Sequence, residues 1–326
     1  MKKKWLATIL GLVMVFTLTA CGTKSETPGS MNVETPTETP AETPAETPAE
    51  TPVEEVDMDT LVSNYFKNMP DHSYKIDQAE FVKMVKDEEK MTVLDIRSAE
   101  DYSKGHVKGA VNMPWGTAIS DGLSTIPADL PLFVYCYTGQ TAGQAVLTLN
   151  LAGFDARSVN LGWNLGISKV DGIADLTVTE AATLTGTTTE IEPAVQTALD
   201  EYYAGLAAVS ETKFKNYKIS EDDLKAMVDA KDASISILSI RKADDFKAGH
   251  IEGATNIPFG KDMADSFSTL PKDKTIVVYC YTGQTAGQAV AGLRLMGFDA
   301  VSLNGGMGTP ANAPAGWMNK GFPVVQ

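Results

Sequence analysis

The stretch Val134–Val146, VYCYTGQTAGQAV, recurs letter for letter at Val278–Val290. It continues the apolar runs LFVYC (Leu132–Cys136) and TIVVYC (Thr275–Cys280), which read as strands covered on both faces. Beyond the glycine the spacing becomes helical. Ala142, Ala145, Leu149 and Ala152 fall on one stripe, matched by Ala286, Ala289, Leu293 and Met296. Gly153 and Gly297 stand where a C-terminal glycine cap belongs. A buried strand thus runs into a helix through a six-residue turn, Cys136–Thr141 in one copy and Cys280–Thr285 in the other.

The repeat widens in both directions. Val93–Gly116 aligns with Ile237–Gly260 at the spacing that separates the two cysteines, and Leu149–Gly162 aligns with Leu293–Gly306. Upstream, Tyr74–Val85 matches Tyr217–Val228 with one residue of slippage. MTVLDI, SISILSI, DARSVN and DAVSLN are short runs that read as strands. Lys75–Val85 and Lys218–Val228 carry helical spacing, and Ser220 with Asp223 three residues on is a helix-start signal. Strand-helix-strand alternation predicts an α/β fold in each copy, a parallel sheet with helices on both faces. Two domains are expected, at 58–182 and 193–326, joined by a linker at 183–192.

The 57 residues before them belong to neither copy. MKKKWLATILGLVMVFTLTACG has a basic start, an apolar run too short for a membrane span, and LTAC at its end. This resembles a bacterial lipoprotein signal, which implies cleavage after residue 20 and acylation of Cys21. An ordinary secreted protein with a cysteine at its cleavage site is the alternative. Residues 21–57 repeat Glu, Thr and Pro with almost no large apolar side chain, and are expected to be a disordered tether. A lipid-anchored protein on the extracytoplasmic face of the cell membrane is the expectation, with the bilayer as partner through acylated Cys21. The net charge of -15 is mostly the tether, where nine acids face the single base Lys24. No basic patch suggests nucleic acid.

Each remaining cysteine, Cys136 and Cys280, heads its loop at the carboxyl edge of a sheet, where open α/β folds place their sites. As counterparts in two domains they are expected to stay unbridged. Gly139 and Gly283 allow a tight turn whose consecutive N–H groups converge on the sulfur, and the helix that follows adds its positive end. Both favour thiolate, the nucleophilic form. The design needs neither histidine nor metal, and no cofactor is expected. His106 and His250 lie in separate domains, and with no other soft ligand they argue against a metal.

D-x-R, then G-H-x-x-G-A-x-N-x-P, then an apolar strand ending in C-x-x-G-x-T, resembles the rhodanese-like sulfurtransferase domain. The first copy carries this as Asp95, Arg97, Gly105, His106, Gly109, Ala110, Asn112, Pro114, Cys136 and Gly139. The second repeats it from Arg241 and His250 to Cys280 and Gly283, with Ser239 in place of the aspartate. The resemblance implies two tandem rhodanese-like domains that move sulfane sulfur from a small donor, through a cysteine persulfide, to a thiol or cyanide acceptor. It makes Cys136 and Cys280 the nucleophiles. Tyr137, Thr138, Gly139, Gln140 and Thr141, with Tyr281, Thr282, Gly283, Gln284 and Thr285, become the substrate-binding loops. His106 and His250 are expected to be structural, and Arg97 and Arg241 to pair with carboxylates such as Asp101 and Asp245. With only neutral side chains in the loops, a dianionic donor would rely on backbone dipoles alone, which favours polysulfide or persulfide over thiosulfate. Phosphatase relatives use a longer loop ending in arginine, absent here. A non-catalytic binding or sulfur-carrier module is the alternative; a thiol redox enzyme is disfavoured, since neither copy has a second cysteine to resolve a disulfide.

Overall fold

The computed structural model describes residues 57–326. The expected signal peptide, the lipidation site Cys21 and the tether up to residue 56 lie outside the described residues. The first copy runs α1 (Met58–Lys67), β1 (Lys75–Ile76), α2 (Gln78–Lys86), β2 (Thr92–Asp95), α3 (Ala99–Lys104), β3 (His106–Val107), β4 (Val111–Asn112), α4 (Thr117–Gly122), β5 (Leu132–Tyr135), α5 (Gln140–Leu151), β6 (Ala156–Val159) and β7 (Thr177–Val178). The second runs α6 (Pro193–Ala204), α7 (Leu206–Val209), β8 (Lys218–Ile219), α8 (Glu221–Asp229), β9 (Ile235–Ser239), α9 (Ala243–Ala248), β10 (Ala254–Asn256), β11 (Thr275–Tyr279), α10 (Gln284–Leu295) and β12 (Ala300–Leu303).

Each copy builds a five-stranded parallel sheet, ordered β1-β6-β5-β2-β4 in the first and β8-β12-β11-β9-β10 in the second. The cysteine strands β5 and β11 lie at the centre and are wholly apolar from Leu132 to Tyr135 and from Ile276 to Tyr279, because helices cover both sheet faces. Among the described residues no helix is long and apolar enough to cross a membrane.

Two short elements differ from the sequence expectation. Lys75 and Lys218 do not open helices; with Ile76 and Ile219 they form the edge strands β1 and β8. Asp77 and Ser220 then cap the helices, accepting from Ala79 N at 2.8 Å and from Asp223 N at 3.0 Å. The caps fix where each helix starts, and the residues before them are left extended to pair with β6 and β12. The linker segment 183–192 is tied to the first copy. Thr188 bridges Pro127, Thr187 N donates to Asp129, and Ile191 is buried.

The two copies pack through the helices that follow their cysteines. α5 and α10 are buried nearly all round, rather than on one stripe, because each lies against the other. Contact is close enough that a Cβ on Gly143 would sit 2.2 Å from Gln284 O, and one on Gly287 would sit 2.3 Å from Gln140 O. Hydrogen bonds cross in matched pairs. Gln140 Nε2 donates to Ser302 Oγ and Gln284 Nε2 to Ser158 Oγ, each at 2.7 Å. Tyr202 OH donates to Gln144 Oε1 at 2.7 Å, and Tyr65 OH to Gln288 Oε1 at 2.8 Å.

The leading helices are exchanged. α1 lays Phe66 edge-on against Phe259 and Phe267 of the second copy, and α6 sets Tyr203 edge-on against Trp115 of the first. One apolar core therefore runs through both copies, taking in Leu147 and Leu149 from α5 and Val290 and Leu293 from α10. The interface is isologous in form, the same patch meeting itself, as in a two-fold dimer. At its centre Gln140, Gly143 and Gln144 meet the matching contacts of Gln284, Gly287 and Gln288.

Candidate active site

The sulfur sites follow from how β5 and β11 end. Gly139 (φ 87°) and Gly283 (φ 93°) hold the left-handed conformation that a side chain resists, and this turns the chain into α5 and α10. The turn brings amides back over the cysteine. Gly139 N donates to Cys136 Sγ at 3.1 Å and Ala142 N at 3.4 Å. In the second copy Gly283 N donates to Cys280 Sγ at 3.1 Å. The first-turn amides of each helix have no acceptor within the helix, so they point toward the same space. Negative charge on either sulfur is stabilised by these dipoles. Both thiols are free, and each is 2 % exposed.

A second glycine forms each floor. Gly162 (φ 60°) lies so close beneath the first loop that a Cβ would meet Cys136 O at 2.5 Å and Gly139 N at 2.7 Å. Gly306 (φ 58°) lies likewise under the second, where a Cβ would meet Cys280 O at 2.6 Å. Trp163 N and Met307 N then donate to those cysteine carbonyls at 2.8 Å and hold the loops from below.

At the mouths stand Tyr137 and Tyr281, each more than a third exposed. Tyr137 OH accepts from Ser98 N and donates to Asp101 Oδ2 at 2.6 Å. That bond, with Lys104 and Ser98, lowers the Asp101 carboxyl to about 2. Tyr281 OH accepts from Lys242 N and donates to Asp245. Asp101 and Asp245 therefore serve the tyrosines and are not the partners of Arg97 and Arg241, as the sequence had suggested.

Arg97 instead grips Asp95, the nearer carboxylate two residues back along the strand end, with Nη2 2.6 Å and Nε 3.0 Å from its oxygens, and donates to Gly105 O. In the second copy Ser239 has no carboxylate to offer. Arg241 Nη2 reaches Gly249 O, while its buried Nε has no partner. His106 is fully buried between two carbonyls, Nδ1 on Tyr102 O and Nε2 on Glu180 O, and His250 Nδ1 bonds Phe246 O. Both rings stack on aromatics and hold the turn, away from the sulfur. His72 is exposed.

The loop residues divide by role. Thr282, Gln284 and Thr285 face a cavity of about 260 Å³ together with Cys280 and Tyr281, and its opposite wall is Lys75, Gln78, Asn160 and Leu161 of the first copy. Gln140 and Gln284 also send their amides into the domain interface. The cavity thus holds a cation that neither loop contains. A dianionic donor at Cys280 would not rely on backbone dipoles alone, because β1 brings Lys75 there. The loop residues are sequence neighbours, but the far wall comes from the other repeat. The one sequence sign of it was the paired lysine in YKI, Tyr74–Ile76 and Tyr217–Ile219. Among the described residues no three metal-ligating side chains converge.

A model of the rhodanese-like domain matches twice, at residues 77–168 and 220–309. The thiosulfate sulfurtransferase GlpE of Shewanella oneidensis is 35% identical over 96 residues, covering 29% of this chain and 90% of the relative. The thiosulfate sulfurtransferase PspE of Escherichia coli is 35% identical over 72 residues, 22% of this chain and 68% of the relative. The probable adenylyltransferase/sulfurtransferase MoeZ of Mycobacterium tuberculosis is 30% identical over 110 residues, of which the chain spans only 28% of that relative's length. Among solved structures, the rhodanese-like domain of Alr3790 from Anabaena is 32% identical, covers 33% of this chain and 77% of that one, and superposes with a TM-score of 0.29. Both matched segments contain a cysteine loop, its floor glycine and the arginine two residues beyond β2 or β9, so this chain belongs to the rhodanese-like domain family, with two such domains in tandem.

Proposed function

We propose that the protein is a sulfurtransferase in which Cys136 and Cys280 are both persulfide-forming nucleophiles. The observation that carries this is the pair of amide cradles, with Gly139 N and Gly283 N each 3.1 Å from a sulfur at the start of a buried helix. The thiolate attacks the outer sulfur of a donor. With thiosulfate, the S–S bond breaks and sulfite leaves with the bonding pair, giving Cys–S–S⁻. A nucleophile such as cyanide or another thiolate then takes the outer sulfur and returns the thiolate. The cradle amides bind the charge at both stages, and no proton need be stored on a side chain. Tyr137 and Tyr281, more than a third exposed and held by Asp101 and Asp245, border the way in. The names of the GlpE and PspE relatives favour thiosulfate among the donors.

Outside the described residues, we infer that acylated Cys21 holds the protein at the extracytoplasmic face of the membrane, with the Glu/Thr/Pro segment as spacer. Labelling of cells with an alkynyl palmitate analogue should mark the wild type and not C21S.

The catalytic reading is tested by incubating the protein with thiosulfate or polysulfide and weighing the intact chain. Two added sulfurs are expected in the wild type, one each in C136S and C280S, and none in C136S/C280S, with discharge by cyanide as thiocyanate. A protein that gains no sulfur, or that gains it in the double variant, is not this enzyme.

A further inference from the structure

The two sulfur sites are not self-contained. Lys75 lies on β1 of the first copy and pairs in register with Ser158, whose Oγ accepts from Gln284 Nε2 at 2.7 Å. Gln284 is the fourth residue after Cys280. This chain of contacts carries the first copy's lysine to the second copy's cradle, where Lys75 and Cys280 line one cavity. The arrangement repeats on the other side. Lys218 pairs with Ser302, whose Oγ accepts from Gln140 Nε2 at 2.7 Å, and Gln140 is the fourth residue after Cys136. Burial lowers Lys218 from the usual lysine range, while the charges of Cys136 and Glu221 act on it in the opposite direction. The same chain of contacts therefore brings Lys218 to the neighbourhood of Cys136, as its counterpart brings Lys75 to Cys280.

We propose that each cradle takes its donor-binding cation from the opposite domain: Lys75 serves Cys280, and Lys218 serves Cys136. The ligand class is an anionic sulfane-sulfur donor, whose charged end sits against the ammonium while its outer sulfur faces the thiolate. As a statement about sulfur donors this rests on the sulfurtransferase reading above. It also explains how loops of neutral side chains accept a charged donor. Neither domain alone contains a complete site, and the exchanged helices and paired glutamines serve to bring each lysine to the other domain's sulfur.

The test uses the full chain and does not need turnover. Iodoacetate and iodoacetamide alkylate a thiolate by the same displacement but differ by one negative charge. The rates are read at each cysteine separately, since trypsin releases Cys136 in Gly109–Arg157 and Cys280 in Thr275–Arg294. K218M should lower the iodoacetate-to-iodoacetamide ratio at Cys136 by about tenfold, the scale of one charge a few ångströms away at a partly buried site. K75M should do the same at Cys280. K218R and K75R should restore the ratio, which a packing role of the lysine stem would not require. K218Q and K75Q stand in if a methionine variant does not fold. A ratio that falls at the cysteine of the lysine's own domain, or at neither cysteine, overturns the assignment. If no donor charges the protein with sulfur, the sulfurtransferase reading fails while the alkylation ratios still decide where the lysines act. If sulfur transfer is normal and K75M in the C136S chain leaves KM for thiosulfate unchanged, the lysine assignment fails alone.

Discussion

Cys136 and Cys280 head identical loops in different surroundings. Across from Cys280 stand Lys75 and the neutral Gln78, while the corresponding pair near Cys136 is Lys218 and the carboxylate Glu221. Behind the loops, Asp95 holds Arg97 with two oxygens, but Ser239 leaves Arg241 Nε unsatisfied. Gln140, Gly143 and Gln144, with Gln284, Gly287 and Gln288, are identical where the self-matching interface ties them down at both ends. Identity of the thirteen-residue run therefore reflects packing as much as chemistry, and the chemistry is tuned from outside it.

The largest effect should come from giving the first copy the second's strand end. D95S leaves the buried Arg97 guanidinium without its carboxylate, a loss of about 3 kcal/mol for a broken buried pair. The reverse change, S239D, offers Arg241 Nε a charged acceptor and should stabilise by about 1 kcal/mol. Denaturant midpoints of the two variants, moving in opposite directions, would establish that the copies differ in this bond. Movement of both in the same direction would show that Ser239 is compensated elsewhere. Next in size is G143A. Its methyl would lie 2.2 Å from the carbonyl of Gln284, so α5 and α10 must separate, at about 2 kcal/mol for an overpacked contact. In the C136S chain the same substitution should slow sulfur transfer at Cys280, because Gln284 leads out of that loop. An unchanged rate would mean that the interface only supports the fold.

Much of this was legible in the sequence for physical reasons. The wholly apolar run before each cysteine could only be a strand covered on both sides, and Gly139, Gly153, Gly283 and Gly297 marked turns through their positive φ. The cradle around each sulfur is local, made within six residues, so the pattern of one loop was enough to foresee it. Other features were hidden because they are not local. The helical spacing at Lys75–Val85 drew Lys75 and Ile76 into a helix, and it took the cap at Asp77 and pairing with β6 to make them a strand. Nearness in sequence offers Arg97 carboxylates such as Asp101, whereas the strand end presents Asp95 to it and Tyr137 claims Asp101. The cross-domain lysines depend on how two copies dock, and a repeat read one copy at a time gives no docking.

The subtlest difference between the copies is also the most informative. Glu221 is buried, with Oε1 accepting from Gly316 N at 2.7 Å, and its charge acts on Lys218, favouring the ammonium. Gln78 occupies the matching place beside Lys75 with no charge. The Cys136 site thus offers an anion a lysine whose charge a carboxylate offsets in part, and the Cys280 cavity offers Lys75 with the neutral Gln78. In single-cysteine chains, C136S should therefore use thiosulfate better than C280S. E221Q keeps an oxygen to accept from Gly316 N and removes the charge, so in the C280S chain it should raise kcat/KM for thiosulfate by about threefold, a fraction of a full charge at a screened site. Q78E in the C136S chain should lower it by a similar factor. Both shifts should shrink as ionic strength rises, and both should be absent with a neutral organic trisulfide as donor. Equal changes with charged and neutral donors would mean that residue 221 shapes the pocket without setting its field, and that the two sites differ in form more than in charge.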